Sequence, residues 1–355
     1  MPPMPRFTFD VTRPALETMK MSPIIRLAPD TMAFRAAKDM CRNKVNALAV
    51  TESNGKFAGI VTERHFFKKL PLEKGAAQRM PLHALMTPVD KLVRGSHTCS
   101  MDQVVKRMRK EKVRNFPLLD EEGHLHAIVN MRNVAEQIFD GLNSSPDQEG
   151  ADVTIGDMLD SISVRDGLAS SLPPYASVGE TIEVMREKNS GSMLVLGMNG
   201  VADSFISLKT FGIFSERDYV RSIELFDERS PYDIMLHEVR SREIRKWPML
   251  SSKPCATAPR LTAPRAASQV SRFTSGHSMQ TMAEVHASPT SAETFPEKVT
   301  AVRRQTPIRD ALALMLANKR LYCPVTKETG APLNIVSLRD INLFLAPQMG
   351  EELSS

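Results

Sequence analysis

Two short segments of the chain place a hydroxyl group three residues before a carboxylate, directly after an apolar run. These segments are Ser215 to Asp218, which follows Gly212-Ile213-Phe214, and Ser337 to Asp340, which follows Asn334-Ile335-Val336. Such a pattern predicts a buried strand that is followed at once by a helix. The helix N-terminus favours a phosphate, and a carboxylate there can accept hydrogen bonds from both hydroxyls of a ribose. The two segments are therefore candidate nucleotide-binding sites.

An arginine precedes the acidic position, and it recurs in two further copies of the segment. The four arginines are Arg64, Arg132, Arg217 and Arg339. A planar guanidinium can form paired hydrogen bonds to a phosphate. Two structural alternatives stay open at this point. The arginines could pair with Glu63 or Glu216 or simply be solvated, and a Ser-x-x-Asp segment can serve only to cap the helix that it begins.

The segment closes an internal repeat that the chain contains four times. In three copies a methionine on an apolar helical stripe precedes the last strand by 19 residues, and the pairs are Met40 and Gly59, Met108 and Ala127, and Met315 and Asn334. In the third copy the spacing from Met185 to Gly212 is 27 residues, which predicts a longer hairpin. Each copy predicts the order β-α-β-β-α, so the fold class is α/β (α+β).

Local signals predict a turn and two helix starts within the repeats. Asn54-Gly55 predicts a hairpin turn, and Ser177-x-x-Glu180 predicts a capping box ahead of a helix. Thr306-Pro307 predicts an N-cap with proline at the first helical position.

The first two copies depart from the pattern at the acidic position. His65 stands there in the first copy, after Thr62, while the second copy has Asn130 and Asn133. Neutral groups bond hydroxyls less strongly than a carboxylate does. We therefore expect ligand binding mainly in the second half of the chain.

The repeats divide the chain into two predicted modules. Residues 1–18 form an N-terminal extension, and the first module covers 19–140, with repeats at 19–70 and 83–140. A linker is predicted at 141–154, where Gly, Asn, Ser, Pro and Asp are frequent. The second module covers 155–346, with repeats at 155–226 and 233–346, and residues 347–355 form a tail.

The fourth repeat contains an insertion. Met235 precedes Met315 by 80 residues, whereas their counterparts Met86 and Met108 lie 22 residues apart. The additional residues, 239–297, are rich in Ser, Thr, Ala, Pro and Arg and have no apolar periodicity. This composition predicts a disordered, basic segment.

Composition and motifs disfavour several classes of protein. No apolar run approaches the roughly 18 to 20 residues that span a bilayer, so no membrane association is predicted. The cysteines form no C-x-x-C pair, which indicates neither a disulfide framework nor a zinc site. No Ser/His/Asp arrangement, metal-ligand cluster or P-loop is evident, so we expect no enzyme. A cytoplasmic location is expected, and organelle import stays open because of the arginines near the N-terminus.

The repeat resembles the cystathionine-β-synthase (CBS) domain. The resemblance rests on the β-α-β-β-α unit, on apolar-Pro strands such as Phe116-Pro117-Leu118 and Cys323-Pro324-Val325, and on the ending Gly-h-h-Thr/Ser-x-x-Asp, where h is apolar. It implies two pseudo-twofold CBS-pair modules, similar to CBS-only proteins and to the gamma subunit of AMP-activated kinase. It also implies a homodimer, because such modules commonly pair into discs.

The resemblance further implies a ligand and its contacts. Crevices between paired repeats would bind AMP, ADP, ATP or S-adenosylmethionine, with no obligatory cofactor. By position, Asp218 and Asp340 would hold the ribose, with Ser215, Ser337 and Thr62 beside them. The short strands Thr300-Ala301-Val302 and Ile24-Ile25-Arg26 would line adenine pockets.

Three functions follow as hypotheses. The first is a non-catalytic regulatory protein that senses adenine nucleotide, as in energy sensing, and signals to a partner protein. The alternative is a scaffold without a ligand that docks partners through the 239–297 insertion. Nucleic-acid binding through that basic insertion is disfavoured, because its aromatic residues are few: Trp247, Phe273 and Phe295.

Overall fold

A computed structural model describes residues 12–144, 153–161, 171–173, 175–199, 207–239, 301–329 and 331–345. Within these ranges the chain has the predicted mixed α/β architecture, in which the β-α-β-β-α order recurs in four repeats. The predicted insertion beyond Val239, Thr300 and the tail at 347–355 lie outside the described residues.

The first module contains repeats 1 and 2. Helix α1 (Ala15–Thr18) lies in the N-terminal extension, and its first N–H donates to the Cys99 carbonyl of repeat 2. Repeat 1 consists of β1 (Arg26–Leu27), α2 (Ala33–Asn43), β2 (Ala47–Thr51), β3 (Phe57–Thr62) and α3 (Glu63–Lys69). Repeat 2 consists of α4 (Ala76–Arg79), α5 (Leu82–Leu85), β4 (Thr87–Pro88), β5 (Gly95–Ser96), α6 (Met101–Lys110), β6 (Asn115–Leu119), β7 (Leu125–Asn130) and α7 (Met131–Ser144).

The second module contains repeats 3 and 4. Repeat 3 consists of α8 (Ile155–Ser161), β8 (Ser171–Leu172), α9 (Val178–Glu187), β9 (Ser192–Asn199), β10 (Ser207–Ser215) and α10 (Glu216–Ser222). Repeat 4 follows three 3-10 turns at Ile223–Asp227, Pro231–Asp233 and Leu236–Glu238, and consists of α11 (Ile308–Ala317), β11 (Tyr322–Thr326), β12 (Pro332–Ser337) and α12 (Leu338–Leu345).

Each repeat builds a small sheet from an antiparallel hairpin and a short parallel strand. Leu27 pairs in parallel with Val50, and Val302 forms the corresponding parallel bridge to Val325. The predicted turn at Asn54-Gly55 is confirmed, with Gly55 at a φ of 84°, a value that glycine adopts without strain. The long hairpin of repeat 3 is also confirmed, because β9 and β10 have 8 and 9 residues, against 5 and 6 in β2 and β3.

The helical stripes are buried as predicted. The apolar positions of α2, α6 and α11 face the core, and the fully or nearly fully buried members include Ala37, Met40, Val104, Met108, Leu312 and Met315. The predicted capping box that begins α9 is present, since Ser177 Oγ accepts from the Glu180 N–H at 3.2 Å and Glu180 accepts from the Ser177 N–H at 3.0 Å. The apolar stripe is thus common to α2, α6 and α11, while α6 and α9 also begin with a capping box.

Three boundaries differ from the prediction. Helix α7 runs to Ser144 and so overlaps the predicted linker, because Leu142 is buried and its carbonyl accepts from Arg309 of repeat 4 at 3.0 Å. Helix α11 begins at Ile308, with Pro307 at the N-cap instead of the first helical position. The first strand is confined to Arg26–Leu27, since only these residues pair with β2.

Two kinds of packing hold the repeats together. Within each module the sheets face one another, through Ala49, Ile60 and Ile128 in the first module and through Leu194, Ile213 and Ile335 in the second. Between the modules the helices pack, so that one core joins repeats 1 and 3 and another joins repeats 2 and 4. The two modules therefore bury their helical faces against each other within one chain.

Candidate functional site

The ends of β3 and β10 meet in a reciprocal pair of ion pairs between the modules. Arg64 donates to Glu216 at 2.6 Å, and Arg217 donates to Glu63 at 2.8 Å. The two carboxylate side chains are only 6% and 8% exposed. One of the structural alternatives left open by the sequence is thus realised, since two of the four motif arginines bind the glutamates of the opposite repeat.

Groups from all four repeats surround Glu216. Its second oxygen accepts from Arg114 of repeat 2 at 3.2 Å, and Arg114 also donates to the hydroxyl of Tyr322 of repeat 4 at 3.5 Å. Burial raises the pKa of Glu216, against the opposing effect of Arg114 and Arg64. Burial also raises the pKa of Tyr322 to about 12, so its hydroxyl stays protonated. We call Arg64, Arg114, Glu216, Tyr322 and Arg339 the central cluster.

Arg339 is the cation of this cluster that lacks a carboxylate partner among the described residues. It is half-buried, and desolvation followed by repulsion from Arg114 lowers its pKa. Its counterpart Arg132 in repeat 2 is bound, since it donates to Glu136 at 2.9 Å and to the Leu316 carbonyl at 2.7 Å. In repeat 4 the residue four positions after the arginine is Leu343, which offers no such acceptor.

The predicted pair Ser215 and Asp218 forms a complete capping box. Asp218 Oδ2 accepts from the Ser215 N–H at 3.0 Å and from its hydroxyl at 2.7 Å, while Oδ1 faces Arg221 at 3.5 Å. The residue is 6% exposed. Burial raises the pKa of Asp218, opposed by Arg221 and by the bonds from Ser215. Both carboxylate oxygens of Asp218 therefore already have partners in the fold.

The predicted pair Ser337 and Asp340 has the same box but a more open carboxylate. Asp340 Oδ2 accepts from the Ser337 N–H at 2.8 Å and from its hydroxyl at 2.7 Å. Both residues are partly exposed, and no described residue donates a hydrogen bond to Oδ1. Arg339 lies next to this carboxylate in the chain. Of the two predicted carboxylate sites, this one retains an oxygen for a ligand.

The corresponding position of repeat 1 is closed by a neutral histidine. His65 Nδ1 accepts from the Thr62 N–H at 3.1 Å, so the proton is on Nε2, which donates to Thr87 Oγ1 at 2.9 Å. Burial, together with Lys69 and Arg64, lowers the pKa of His65 to about 4. Strands β3 and β4 also pack closely beside this histidine, because a Cβ atom on Gly59 of β3 would collide with the Thr87 carbonyl oxygen of β4.

A pocket of the first module opens beside the motif of repeat 2. It is lined by Ser22, Pro23, Ile24, Val45, Asn46, Ala47, Ile128 and Asn130. Asn133 stands where other repeats have the carboxylate, and its amide bonds the Asn130 N–H at 2.9 Å and the Lys20 carbonyl at 2.6 Å. Ile24, predicted to line an adenine pocket, does line this one, although the sequence analysis favoured the second module.

The remaining predicted strand residues have structural partners. Val302 is buried, donates its N–H to the Pro324 carbonyl at 3.0 Å and accepts from the Thr326 N–H at 2.9 Å. Ala301 is partly buried beside it. Arg114 was missed by the sequence analysis because it lies before β6, outside the motif, and only the packing of repeat 2 on repeats 3 and 4 brings it to the cluster.

Comparison with known proteins agrees with this architecture. The family profile of the CBS domain matches residues 17–72, 85–140 and 296–346. These segments correspond to repeats 1, 2 and 4, and repeat 3 has the same order of elements although it is not among the matched segments. The three matched segments of the chain are therefore CBS domains.

Individual relatives share parts of the chain or its fold. A mitochondrial CBS domain-containing protein, CBSX3 of Arabidopsis thaliana, is 24% identical over 111 residues, which cover 32% of this chain and 53% of that protein. Inosine-5'-monophosphate dehydrogenase of Bacillus subtilis is 26% identical over 126 residues, covering 35% of this chain and 24% of the enzyme. The match thus spans about a quarter of the dehydrogenase and about half of the CBSX3 protein.

The fold of nearly the whole chain has a counterpart among solved structures. That counterpart is a protein of Methanocaldococcus jannaschii, described as a candidate archaeal homologue of γ-AMPK, with a TM-score of 0.60 and 14% identity. The alignment covers 92% of this chain and 98% of that one. At this identity the likeness establishes a shared fold. In the part of the chain that the structure describes, no helix is both long enough and apolar enough to cross a membrane.

Proposed function

We propose that this CBS-domain protein is a non-catalytic regulator that binds an adenosine compound in the crevice of repeats 3 and 4. The candidate ligands are AMP, ADP, ATP and S-adenosylmethionine, and the arginines of the central cluster favour the first three, because S-adenosylmethionine has no phosphate. One observation carries the proposal: Arg339 has no carboxylate partner among the described residues, and it adjoins the partly open carboxylate of Asp340. A cation and a ribose acceptor are thus adjacent at one helix start.

The charge of the central cluster supports a phosphate. Arg64 and Arg114 share the carboxylate of Glu216, whereas Arg339, which both of them repel, has no such partner among the described residues. Repulsion from Arg114 and Arg64 contributes to the lowered pKa of Arg339, so an added anion would relieve it. Phosphate oxygens accept strong charge-assisted hydrogen bonds from arginine. In this proposal the phosphates face Arg339, with Arg64 and Arg114 adding to the field.

The hydrogen bonds of the two boxes support Asp340 over Asp218 as the ribose ligand. Asp340 Oδ1 is available, whereas Asp218 would first have to give up Arg221. Ser337 would stand beside the ribose. We retain Asp218 and Ser215, with Arg217, as ligands of a second crevice that opens only if these bonds rearrange. Thr62 and the strand of Ala301 and Val302 remain predicted ligand contacts.

The position of the cluster supports a regulatory role. A ligand on Arg339 would bias groups of all four repeats at once, because Arg64, Arg114 and Glu216 already join both modules. A ligand shifts a conformational equilibrium by its differential affinity for the two states. We propose that such a shift in the packing of the modules is read by a partner protein.

Isothermal titration of the full chain with each of the four compounds tests the proposal. Arg339→Ala and Asp340→Asn should each weaken binding about 10- to 100-fold, since a hydrogen bond to a charged group contributes about 1.5–3 kcal/mol. Arg132→Ala is the matched control, because its arginine is bound to Glu136, and it should change affinity less than about twofold. The proposal fails if none of the compounds releases heat, or if the two site variants bind as the control does.

The alternative function is a scaffold that docks partners through residues 239–297. It rests on the composition of that segment, which lies outside the described residues beyond Val239. Deleting 240–297 should abolish partner capture if the scaffold hypothesis holds and leave nucleotide titration unchanged.

A homodimer, also predicted, would need a surface other than the helical faces that are buried between the modules. Light scattering of the purified chain tests it, and cell fractionation tests the expected cytoplasmic location.

A further inference from the structure

The β6–β7 hairpin of repeat 2 gathers metal-ligating side chains at the end of β7 opposite to Asn130. His124 Nδ1 and His126 Nε2 approach the same oxygen of Asp120, at 3.3 and 3.1 Å. Glu122 lies in the turn between the strands, and ligand atoms of Asp120, Glu122 and His124 all lie within 4.8 Å of one another. The hairpin thus presents two imidazoles and two carboxylates in one place.

These separations match those between the ligands of a bound transition-metal ion. In a tetrahedral zinc site with bonds of roughly 2.0–2.2 Å, neighbouring ligand atoms lie about 3.4 Å apart. The two nitrogen-to-oxygen distances of 3.3 and 3.1 Å are close to this value. An ion at this carboxylate oxygen would lie within reach of Glu122 and His124, and rotation of the exposed His126 side chain would bring its imidazole to the same ion.

The backbone and a neighbouring ring fix the arrangement. Asp120 Oδ1 accepts from the His124 N–H at 2.7 Å, and Arg26 donates to the Leu125 carbonyl, between the two histidines, at 2.9 Å. The His97 ring stacks on His126, with centroids 4.9 Å apart. His97 Nδ1 is shielded from solvent and has no hydrogen-bond partner among the described residues, so a further imidazole nitrogen lies beside the group.

The hydrogen bonds at Asp120 exceed what the hairpin turn needs. A hairpin that only needed a turn cap would require the bond to the His124 N–H alone. The convergence of two imidazole rings on the other oxygen is additional to what the turn requires.

We propose that Asp120, His124 and His126, with Glu122, bind a divalent transition-metal ion of the zinc class. Imidazole ligands suit Zn²⁺, Ni²⁺ and Cu²⁺, whereas Mg²⁺ and Ca²⁺ prefer sets made only of oxygen. The site lies apart from the central cluster and does not depend on the nucleotide proposal. No cysteine pair or histidine spacing typical of zinc domains marks this site in the sequence, because its side chains come together only when the hairpin forms.

Titration of the tag-free full chain with Zn²⁺, with Mg²⁺ as the comparison ion, tests this proposal. The double variant His124→Ala/His126→Ala should bind Zn²⁺ at least about 10- to 100-fold more weakly, since loss of an outer-shell partner alone costs that much. The side chains of His124 and His126 are 51% and 44% exposed, so the fold should survive, as circular dichroism will verify.

The matched control is His83→Ala, which removes another exposed histidine that faces a carboxylate, that of Asp30, at 3.5 Å. This variant should bind Zn²⁺ as the wild type does. Ring-nitrogen NMR signals of His124 and His126 should shift first on addition of Zn²⁺. The proposal is overturned if the double variant binds Zn²⁺ as tightly as the wild type, or if the wild type binds Zn²⁺ no more tightly than Mg²⁺.

Discussion

His65 should make the stability of the protein depend on pH between about 4 and 6.5. Its pKa falls from 6.5 to about 4 on folding, chiefly through desolvation. The folded state therefore binds fewer protons than the unfolded state within this window. The contribution of His65 to the free energy of unfolding is therefore fully present above pH 6.5 and is lost as the pH falls from 6.5 to 4. Protonation must also disrupt a bond, because Nδ1 accepts from the Thr62 N–H.

The magnitude follows from the two pKa values. Between pH 7.5 and pH 5, His65 alone should reduce the free energy of unfolding by about 2 kcal/mol, and the limit at still lower pH is about 3 kcal/mol. Asn is a suitable replacement, because Asn133 occupies the equivalent position of repeat 2 and accepts the corresponding backbone hydrogen bond at 2.9 Å. His65→Asn cannot titrate, so its pH dependence should be smaller by about 2 kcal/mol over this range.

Urea unfolding followed by circular dichroism at pH 7.5, 6 and 5 measures this difference. Contributions from all other titrating groups cancel when His65→Asn is compared with the wild type. His83→Asn is the control, since that side chain is 53% exposed, and it should leave the pH dependence within about 0.5 kcal/mol of the wild type. If the wild type and His65→Asn lose equal stability on acidification, His65 is not a buried neutral group and the closed crevice of repeat 1 is wrong.

Two further substitutions probe the central cluster. Glu216→Gln should lower the free energy of unfolding by about 2–4 kcal/mol in urea denaturation, because it leaves Arg64 and Arg114 without their shared carboxylate. The control is Glu224→Gln, which should lower it by less than about 1 kcal/mol, because the Glu224 side chain is 60% exposed. Leu343→Glu should give Arg339 a carboxylate four residues later, as Glu136 is for Arg132 in repeat 2, and should weaken nucleotide binding about tenfold in calorimetry. Equal nucleotide affinity in Leu343→Glu and Leu343→Gln would contradict the role of Arg339.

The architecture of each repeat could be predicted because it depends on local signals. The apolar stripe of α6, the capping box at Ser177 and the glycine of the Asn54-Gly55 turn act over a few residues, and each is present as expected. The long hairpin of repeat 3 was likewise visible as additional spacing. The end of α7 was not predicted, because its last turn is stabilised by burial of Leu142 and by Arg309 of another repeat, which composition alone does not indicate.

The composition of the site could be predicted only in part, because its decisive contacts join distant positions. Arg64 and Glu216 lie 152 residues apart, and the motif gives no reason to pair them with each other instead of with a ligand. Arg114 and Glu216 are 102 residues apart and were not linked by any pattern. The motif identifies candidate ligands, but burial and partner choice decide which of them remain available.

Four nearly identical motifs acquire different roles through the residue that follows the hydroxyl or amide position. In repeats 1 and 3 this residue is a glutamate, and the two glutamates bind each other's arginine across the modules. In repeats 2 and 4 it is Met131 or Leu338, so the arginine has no such partner. Repeat 2 then provides Glu136 to its own arginine, and repeat 4 does not. A symmetric scaffold thus leaves one arginine unpaired among the described residues, and that asymmetry makes repeat 4 the strongest place to seek an anionic ligand.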